Sequence, residues 1–456
     1  MSIISTNEPA GIKSFAVFQP VAERDRVSSI DILRGCALLG ILISNIDIFS
    51  GPETFFEVPQ GLPDTSFINS HLHLNLFILF VKWIVTEGKM RALFSMLFGV
   101  GLLLMTERAE RSGGSAQFPD IYLRRNMWLC AFGFLHGAFI WDIDILLTYG
   151  LAGLLVLYPC RRLKASTLLI AGTAITLISS PLLPVFLGTV GDIDLAQRAQ
   201  SVEAIQQKGM KPTDEQRAVL QQWRNLQAAH ATVLPPLDGG PAQSASYPTM
   251  VQAQLRNYLT ESFGSEMFIV MESAGTMLFG MGLYKIGFLT AERSWGTYTK
   301  CAACGLLLSA PFYVLGMWKV YKSGFDFIAA EHWLYLPYET LKLPAALGVI
   351  STLMLFIKSG IVRPAQNALA AVGRTALSNY ILTSLLCQYI FLWSRWHYFG
   401  KLTYIQHHLV MVCVWAINIL ASVLWLRHFR FGPLEWLWRS LTYWKMQPLR
   451  IRTASI

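Results

Sequence analysis

Long apolar runs, each interrupted at a few positions by a polar residue, alternate along the chain with short segments that gather Arg and Lys. Runs of this length read as membrane-spanning helices, and their order predicts about ten: 29–49, 89–106, 126–141, 145–158, 167–187, 266–286, 300–319, 341–358, 376–393 and 409–427. The expected fold class is an all-α polytopic membrane protein. The first run is the most informative. It opens on Ser28-Ser29-Ile30-Asp31-Ile32-Leu33-Arg34-Gly35, where Ser28 and Asp31 have capping-box spacing with Asp in place of Glu, and it closes on Ser44-Asn45-Ile46-Asp47. Arg34 and Asn45 are eleven positions apart, three helical turns plus about 20°, so they share one face with about 16 Å between them along the axis. An amide at that depth needs a partner helix or a cavity, and Asn45 fits an interhelical hydrogen bond as well as a functional site.

Two segments depart from the pattern. Residues 75–88, with Lys82 and Glu87 among Leu, Phe and Trp, predict an interfacial or re-entrant helix. In residues 188–265 Gln, Ala and charges replace the apolar runs. Leu195, Ala199, Val202 and Ile205 form one helical stripe; Thr213 and Gln216 hold capping-box positions before a second stripe of Val219, Trp223 and Leu226. This spacing predicts a helical hairpin, followed by a Pro/Gly loop at 234–248. The expected organisation is a cytoplasmic tail (1–28), a first bundle (29–187), an extracytoplasmic helical cap (188–265), a second bundle (266–427) and a cytoplasmic amphipathic tail (428–456). In that tail Phe431-Gly432-Pro433-Leu434-Glu435-Trp436 through Trp444-Lys445 mixes aromatics and bases, as a helix lying on the inner leaflet would.

Composition agrees: of 456 residues 53% are hydrophobic and only 14% charged, too few charges for a soluble surface of this size. The net charge of +9 calls for no nucleic-acid partner, because Arg and Lys cluster beside the runs at 107–125, 161–164 and 427–452, as topology requires. Both termini are therefore expected in the cytoplasm. The seven cysteines lie in or beside apolar runs, and Cys301-x-x-Cys304 has no second pair to complete a metal site, so packing roles are expected and no metal. Residues 1–27 lack the apolar core of a signal peptide, which leaves the first helix as the anchor.

Three stretches together carry a resemblance: Asp31-x-x-Arg34-Gly35 with Asn45; Arg124-Arg125 through His136 to Asp144-Ile145-Leu146 and Tyr149; and Gly373-Arg374-Thr375-Ala376-Leu377-Ser378-Asn379-Tyr380 with Gly432-Pro433-Leu434-Glu435-Trp436. The chain resembles the YeiB family of bacterial inner-membrane proteins, also called domain of unknown function 418, over nearly its whole length except 188–265. That family is similar in turn to transmembrane acyltransferases such as heparan-α-glucosaminide N-acetyltransferase, which moves acetyl from cytosolic acetyl-CoA to an amino sugar across the membrane. Arg34 and Asn45 match the Arg and Asn spacing of that enzyme. Its catalytic histidine, eleven positions beyond the Asn, is replaced here by Phe56.

The resemblance implies acyl transfer from a cytosolic thioester to an extracytoplasmic or lipid-linked acceptor. Such chemistry needs a base, donors for an oxyanion and cations for phosphates. His136 lies eleven positions after Arg125, as Asn45 does after Arg34, so His136 is the candidate base and Asn45 the candidate oxyanion donor. Asp144, across the corner from His136, could orient a base or bind a cation. Arg34, Arg374, Lys89 and Asn379 form the candidate donor-binding set, although Arg34 and Arg374 would serve equally as topology anchors and a lone membrane histidine is often a packing residue. No tightly bound cofactor is expected, with acyl-CoA acting as donor substrate. Expected partners are membrane lipids, a small-molecule, glycan or lipid-linked acceptor and, as a homodimer, a second copy of the chain. The competing reading is a transporter or permease, with Asn45, His136, Glu272 and Asn418 lining its path; it lacks an inverted repeat of the first-helix pattern.

Overall fold

The computed structural model describes residues 28–51, 71–112, 116–230, 247–260 and 262–451, and among them the protein is all-α. Eight helical stretches are long and apolar enough to cross a membrane. They comprise α1 (Ser28–Ser50); α2 (Leu72–Val81) with a π-helical turn (Lys82–Thr86), running into α3 (Lys89–Arg111); α6 (Ala165–Ile178) with α7 (Leu182–Gln207); α10 (Ser262–Lys285); α11 (Trp295–Lys322); α12 (Leu336–Ser359); α14 (Ala376–Gln388) with its π-helical extension to Trp393; and α15 (Tyr404–Trp425). Two further expected spans, α4 (Phe118–Phe139) and α5 (Leu146–Cys160), are more polar or shorter: α4 carries Asp120, Arg124 and Arg125, and α5 is only about 22 Å long. Their interior faces explain the difference. α4 buries Asn126, Gly133 and His136 and turns Leu123, Met127 and Leu135 outward, so Asn126 and His136 face protein.

The α2–α3 junction is a sharp break at Glu87-Gly88, where Gly88 has φ +69°, a left-handed conformation that glycine adopts at little steric cost. The helical hairpin in the polar insert is present: Ala199 and Val202 of α7 pack on Leu220 of α8 (Asp214–His230), and Thr213 and Gln216 cap α8 reciprocally. Its first arm differs from expectation. α7 runs unbroken from Leu182, so the change from apolar to polar at residue 188 falls inside one helix, and the break lies earlier, at Ser180-Pro181, where proline lacks a backbone donor. α9 (Tyr247–Thr260) is a helix the sequence reading did not anticipate; residues 231–246, most of the expected Pro/Gly loop, lie outside the described residues.

Near the chain's start α1 crosses α13 (Arg363–Arg374), a helix in the segment the sequence reading had left between the spans 341–358 and 376–393. The crossing is made by two glycines. A Cβ on Gly35 would overlap the Leu369 carbonyl, and a Cβ on Gly373 would overlap the Asp31 carbonyl, so the backbones touch where any side chain would hold them apart. After Thr375 the chain bends into α14, and α16 (Pro433–Tyr443) folds back against α4 and α14. The tail thus packs on protein through Trp438 while Leu437 and Trp444 remain exposed.

Gly373→Ala and Gly35→Ala should each destabilise the protein by roughly 1–3 kcal/mol, the usual cost of overpacking, because backbone rather than a flexible side chain must move. Gly101, which has open space where its Cβ would go, is the control: Gly101→Ala should be neutral or stabilising in thermal unfolding of the detergent-solubilised protein.

Candidate functional site

The glycine crossing delivers Arg34 from α1 and Arg374 from α13 to one end of the bundle. Arg108 and Arg111 reach the same place from the last turn of α3, Arg125 from α4 and Arg439 from α16, and all six line a single cavity of about 630 Å³. Three carboxyl groups, Asp31, Glu107 and Glu435, share its wall and leave an excess of guanidinium charge. Arg34 is held by Asp31 at 3.1 Å, and Arg125 lies 3.6 Å over the Trp438 ring while its carbonyl accepts from the Trp438 indole at 2.8 Å. An array of planar, permanently charged donors suits a phosphate-bearing ligand.

Glu435 explains why the last two quoted motif stretches go together. Its carboxyl accepts from the amides of Leu377 and Ser378 and from the Ser378 hydroxyl, capping the N-terminus of α14. Burial pushes this carboxyl above its ordinary pKa, and the same hydrogen bonds oppose that shift. Arg374 closes α13 rather than opening α14, and the α14 N-terminus beside it is already occupied by Glu435.

Leu146, Tyr149 and Tyr380 line the cavity among its apolar and aromatic residues. Tyr380 donates to Asp144 Oδ1 at 3.3 Å, and its ring centroid is 4.9 Å from that of His136. His136 Nδ1 lies 2.8 Å from the same Asp144 oxygen, while Asp144 Oδ2 accepts from the Leu147 amide and so caps α5. Gly133 makes the approach possible, since a Cβ there would overlap the Leu147 amide nitrogen and crowd Asp144. With Nδ1–H donating to Asp144, the lone pair is on Nε2, which is buried and without a hydrogen-bond partner. A carboxylate-oriented imidazole with a free Nε2 is competent to take a proton.

Of the sequence candidates, then, His136 meets Asp144, and Arg34 and Arg374 line one cavity. The other three are elsewhere. Lys89 begins α3, about 33 Å along the helix from Arg111, and its ammonium donates to the Trp83 carbonyl and lies 3.9 Å over the Tyr313 ring. Asn379 is buried in a network with Val372, Thr375 and Ser422 that fastens the α13–α14 bend to α15. Asn45 is half-buried with no side-chain hydrogen bond among the described residues, and neither it nor His136 lines the cavity. Pro119 and Asp120 start α4 at Phe118, so Arg125 is two turns inside the helix and His136 is in its last turn. Glu272 pairs with Lys342 at 2.8 Å, and Asn418 donates to Thr383. His71 and His73 are exposed, and Phe56 lies outside the described residues. All seven cysteines are unpaired.

Sequence reasoning missed Tyr380 and Glu435 as working parts, although both stood inside the quoted motifs. It also missed Arg108, Arg111 and Arg439, which carried only the topology signal.

The model of the family described as "Protein of unknown function (DUF418)" matches residues 283–445. The uncharacterized protein YxaH of Bacillus subtilis (strain 168) is 29% identical over 436 residues, covering 95% of this chain and 98% of YxaH. The uncharacterized protein YeiB of Escherichia coli (strain K12) is 28% identical over 446 residues, covering 94% of this chain and all of YeiB. Residues 283–445 thus resemble the DUF418 family, and the full length resembles YxaH and YeiB. No solved structure matches it. The DUF418 match holds Arg374, Tyr380 and Glu435, whereas Arg34, His136 and Asp144 precede it, so the site draws on both parts of the chain.

Asn379→Ala should cost about 1–3 kcal/mol of stability, the range for breaking a buried hydrogen-bonded network, and should leave anion binding in the arginine cavity unchanged. Thermal unfolding beside a titration with an anionic nucleotide separates the two roles.

Proposed function

We propose that this protein is an inner-membrane acyltransferase whose arginine-lined cavity opens to the cytoplasm and takes the phosphate-bearing part of an acyl thioester such as acetyl-CoA. One observation carries the reading: the cavity that gathers six arginines also contains Tyr380, which touches the His136–Asp144 pair. The acceptor is an extracytoplasmic or lipid-linked hydroxyl or amine. His136 Nε2 takes the acceptor's proton as its oxygen or nitrogen attacks the thioester carbonyl, and the proton passes to the departing thiolate when the C–S bond breaks. Asp144 holds the imidazole tautomer and steadies the imidazolium. Tyr380, which donates to Asp144 in the free protein, replaces Asn45 as the hydroxyl or amide donor available to the oxyanion. The likeness of the family to heparan-α-glucosaminide N-acetyltransferase points to the same reaction class.

The test uses purified protein with acetyl-CoA. Native mass spectrometry and calorimetry should detect CoA binding that weakens as salt rises. Arg34→Gln with Arg374→Gln should weaken it by about tenfold or more, a loss of about 1.4 kcal/mol per decade. His136→Ala should retain CoA binding yet lose transfer by roughly a hundredfold to ten-thousandfold, the worth of a general base. Absence of CoA binding, together with solute movement in proteoliposomes, would replace this reading with the permease.

A further inference from the structure

At the other end of α1, about 20 Å along the helix from Arg34, Asp47 meets His407 and His408 from the first turns of α15. One ligand atom from each of the three lies within 4.8 Å of the other two, and all three side chains are at least nine-tenths buried. Each is oriented by its surroundings. Asp47 Oδ2 accepts from the Lys82 ammonium at 2.7 Å, which leaves Oδ1 directed at the histidines. His408 Nδ1 lies 2.8 Å from the Tyr404 carbonyl and must donate to it, so the lone pair is on Nε2. His407 Nε2 is 2.9 Å from Asp47 Oδ1 without hydrogen-bond geometry.

Asp47 Oδ1, His407 Nε2 and His408 Nε2 are thus three ligand atoms buried together: the His408 lone pair faces the cluster, and Asp47 Oδ1 and His407 Nε2 lie 2.9 Å apart. Atoms of that kind in contact repel unless a cation or a proton lies between them. The Lys82 ammonium, 2.7 Å from Asp47 and 3.9 Å from Glu87, is shared by two carboxylates, so one negative charge remains for a cation.

We propose that Asp47, His407 and His408 bind a divalent transition-metal ion, with Zn²⁺ the best match to two imidazoles and one carboxylate. Tetrahedral Zn²⁺ separates its ligand atoms by roughly 3.3–3.5 Å, so Asp47 Oδ1 and His407 Nε2, 2.9 Å apart, need to open by about half an ångström, while separations of up to 4.8 Å close by about an ångström. The ion ties α1 to α15 at the end remote from the arginine cavity, and the site stands independently of the acyl-transfer reading.

The experiment is metal analysis of full-length protein in detergent, equilibrated with Zn²⁺ and desalted, with Co²⁺ as a spectroscopic stand-in. Wild type should retain close to one Zn²⁺ per chain, show the visible absorption of tetrahedral Co²⁺ and melt at a higher temperature until a chelator is added. The His407→Gln/His408→Gln double variant should lose the ion, the absorption and the melting shift together. Wild-type measurements decide the matter even if that variant does not fold. A wild-type chain that stays at the buffer blank with an unshifted melting temperature overturns the site and leaves Asp47 and His407 bridged by a proton. Equal metal retention by a folded double variant overturns it as well.

Discussion

The approach of two backbones at Gly35 and Gly373 is the constraint on which the rest depends. Helices normally pack with 8–10 Å between axes, and glycines at the contact bring them to the near limit of that range. Here the contact fixes the depth of α1 against α13, and residues next to each glycine, Arg34 and Arg374, are therefore placed on the wall of one cavity. A larger residue at either position would separate the helices that carry the two guanidinium groups. The same contact lies just before the bend at Thr375, so it also sets where α14 begins and where Tyr380 projects.

Burial of polar groups organises the remainder. In an apolar surrounding an unpaired charge is costly enough that most are matched by a partner on another helix. Lys342 is held by Glu272 and Glu339, Lys82 by Asp47, and Asn379 by Thr375 and Ser422. These pairings account for much of the intramembrane polarity without any ligand. What they leave over among the described residues includes the surplus of arginine at one end of the bundle, His136 Nε2 near the cavity's aromatic lining, and the cluster around Asp47 at the other end.

The fold was largely legible because hydrophobic runs report burial directly. The helical hairpin and its Thr213–Gln216 cap followed from spacing alone. The site was legible only in part. His136 and Asp144 could be linked because a corner of known length separates them. Lys89 could not be excluded, since its direction depends on the break at Gly88, and the start of α4 was set at 126 rather than Phe118 because the apolar run begins after the helix does. His407 and His408 gave no signal as adjacent residues in an apolar helix. Their meaning depends on Asp47, 360 positions earlier, and on a hydrogen bond from His408 that fixes its tautomer.

Long-range pairing also explains why the tail is part of the site rather than a membrane anchor alone. Glu435 satisfies amides at the start of α14 that no residue within α14 reaches, and Trp438 holds Arg125 through both its ring face and its indole N–H. A helix N-terminus left uncapped in this position would itself attract an anion and compete with the arginines for the ligand's charge. By filling it with a carboxylate, the tail leaves the positive charge of the cavity wall to the guanidinium groups of α1, α3, α4, α13 and α16 rather than to the start of α14.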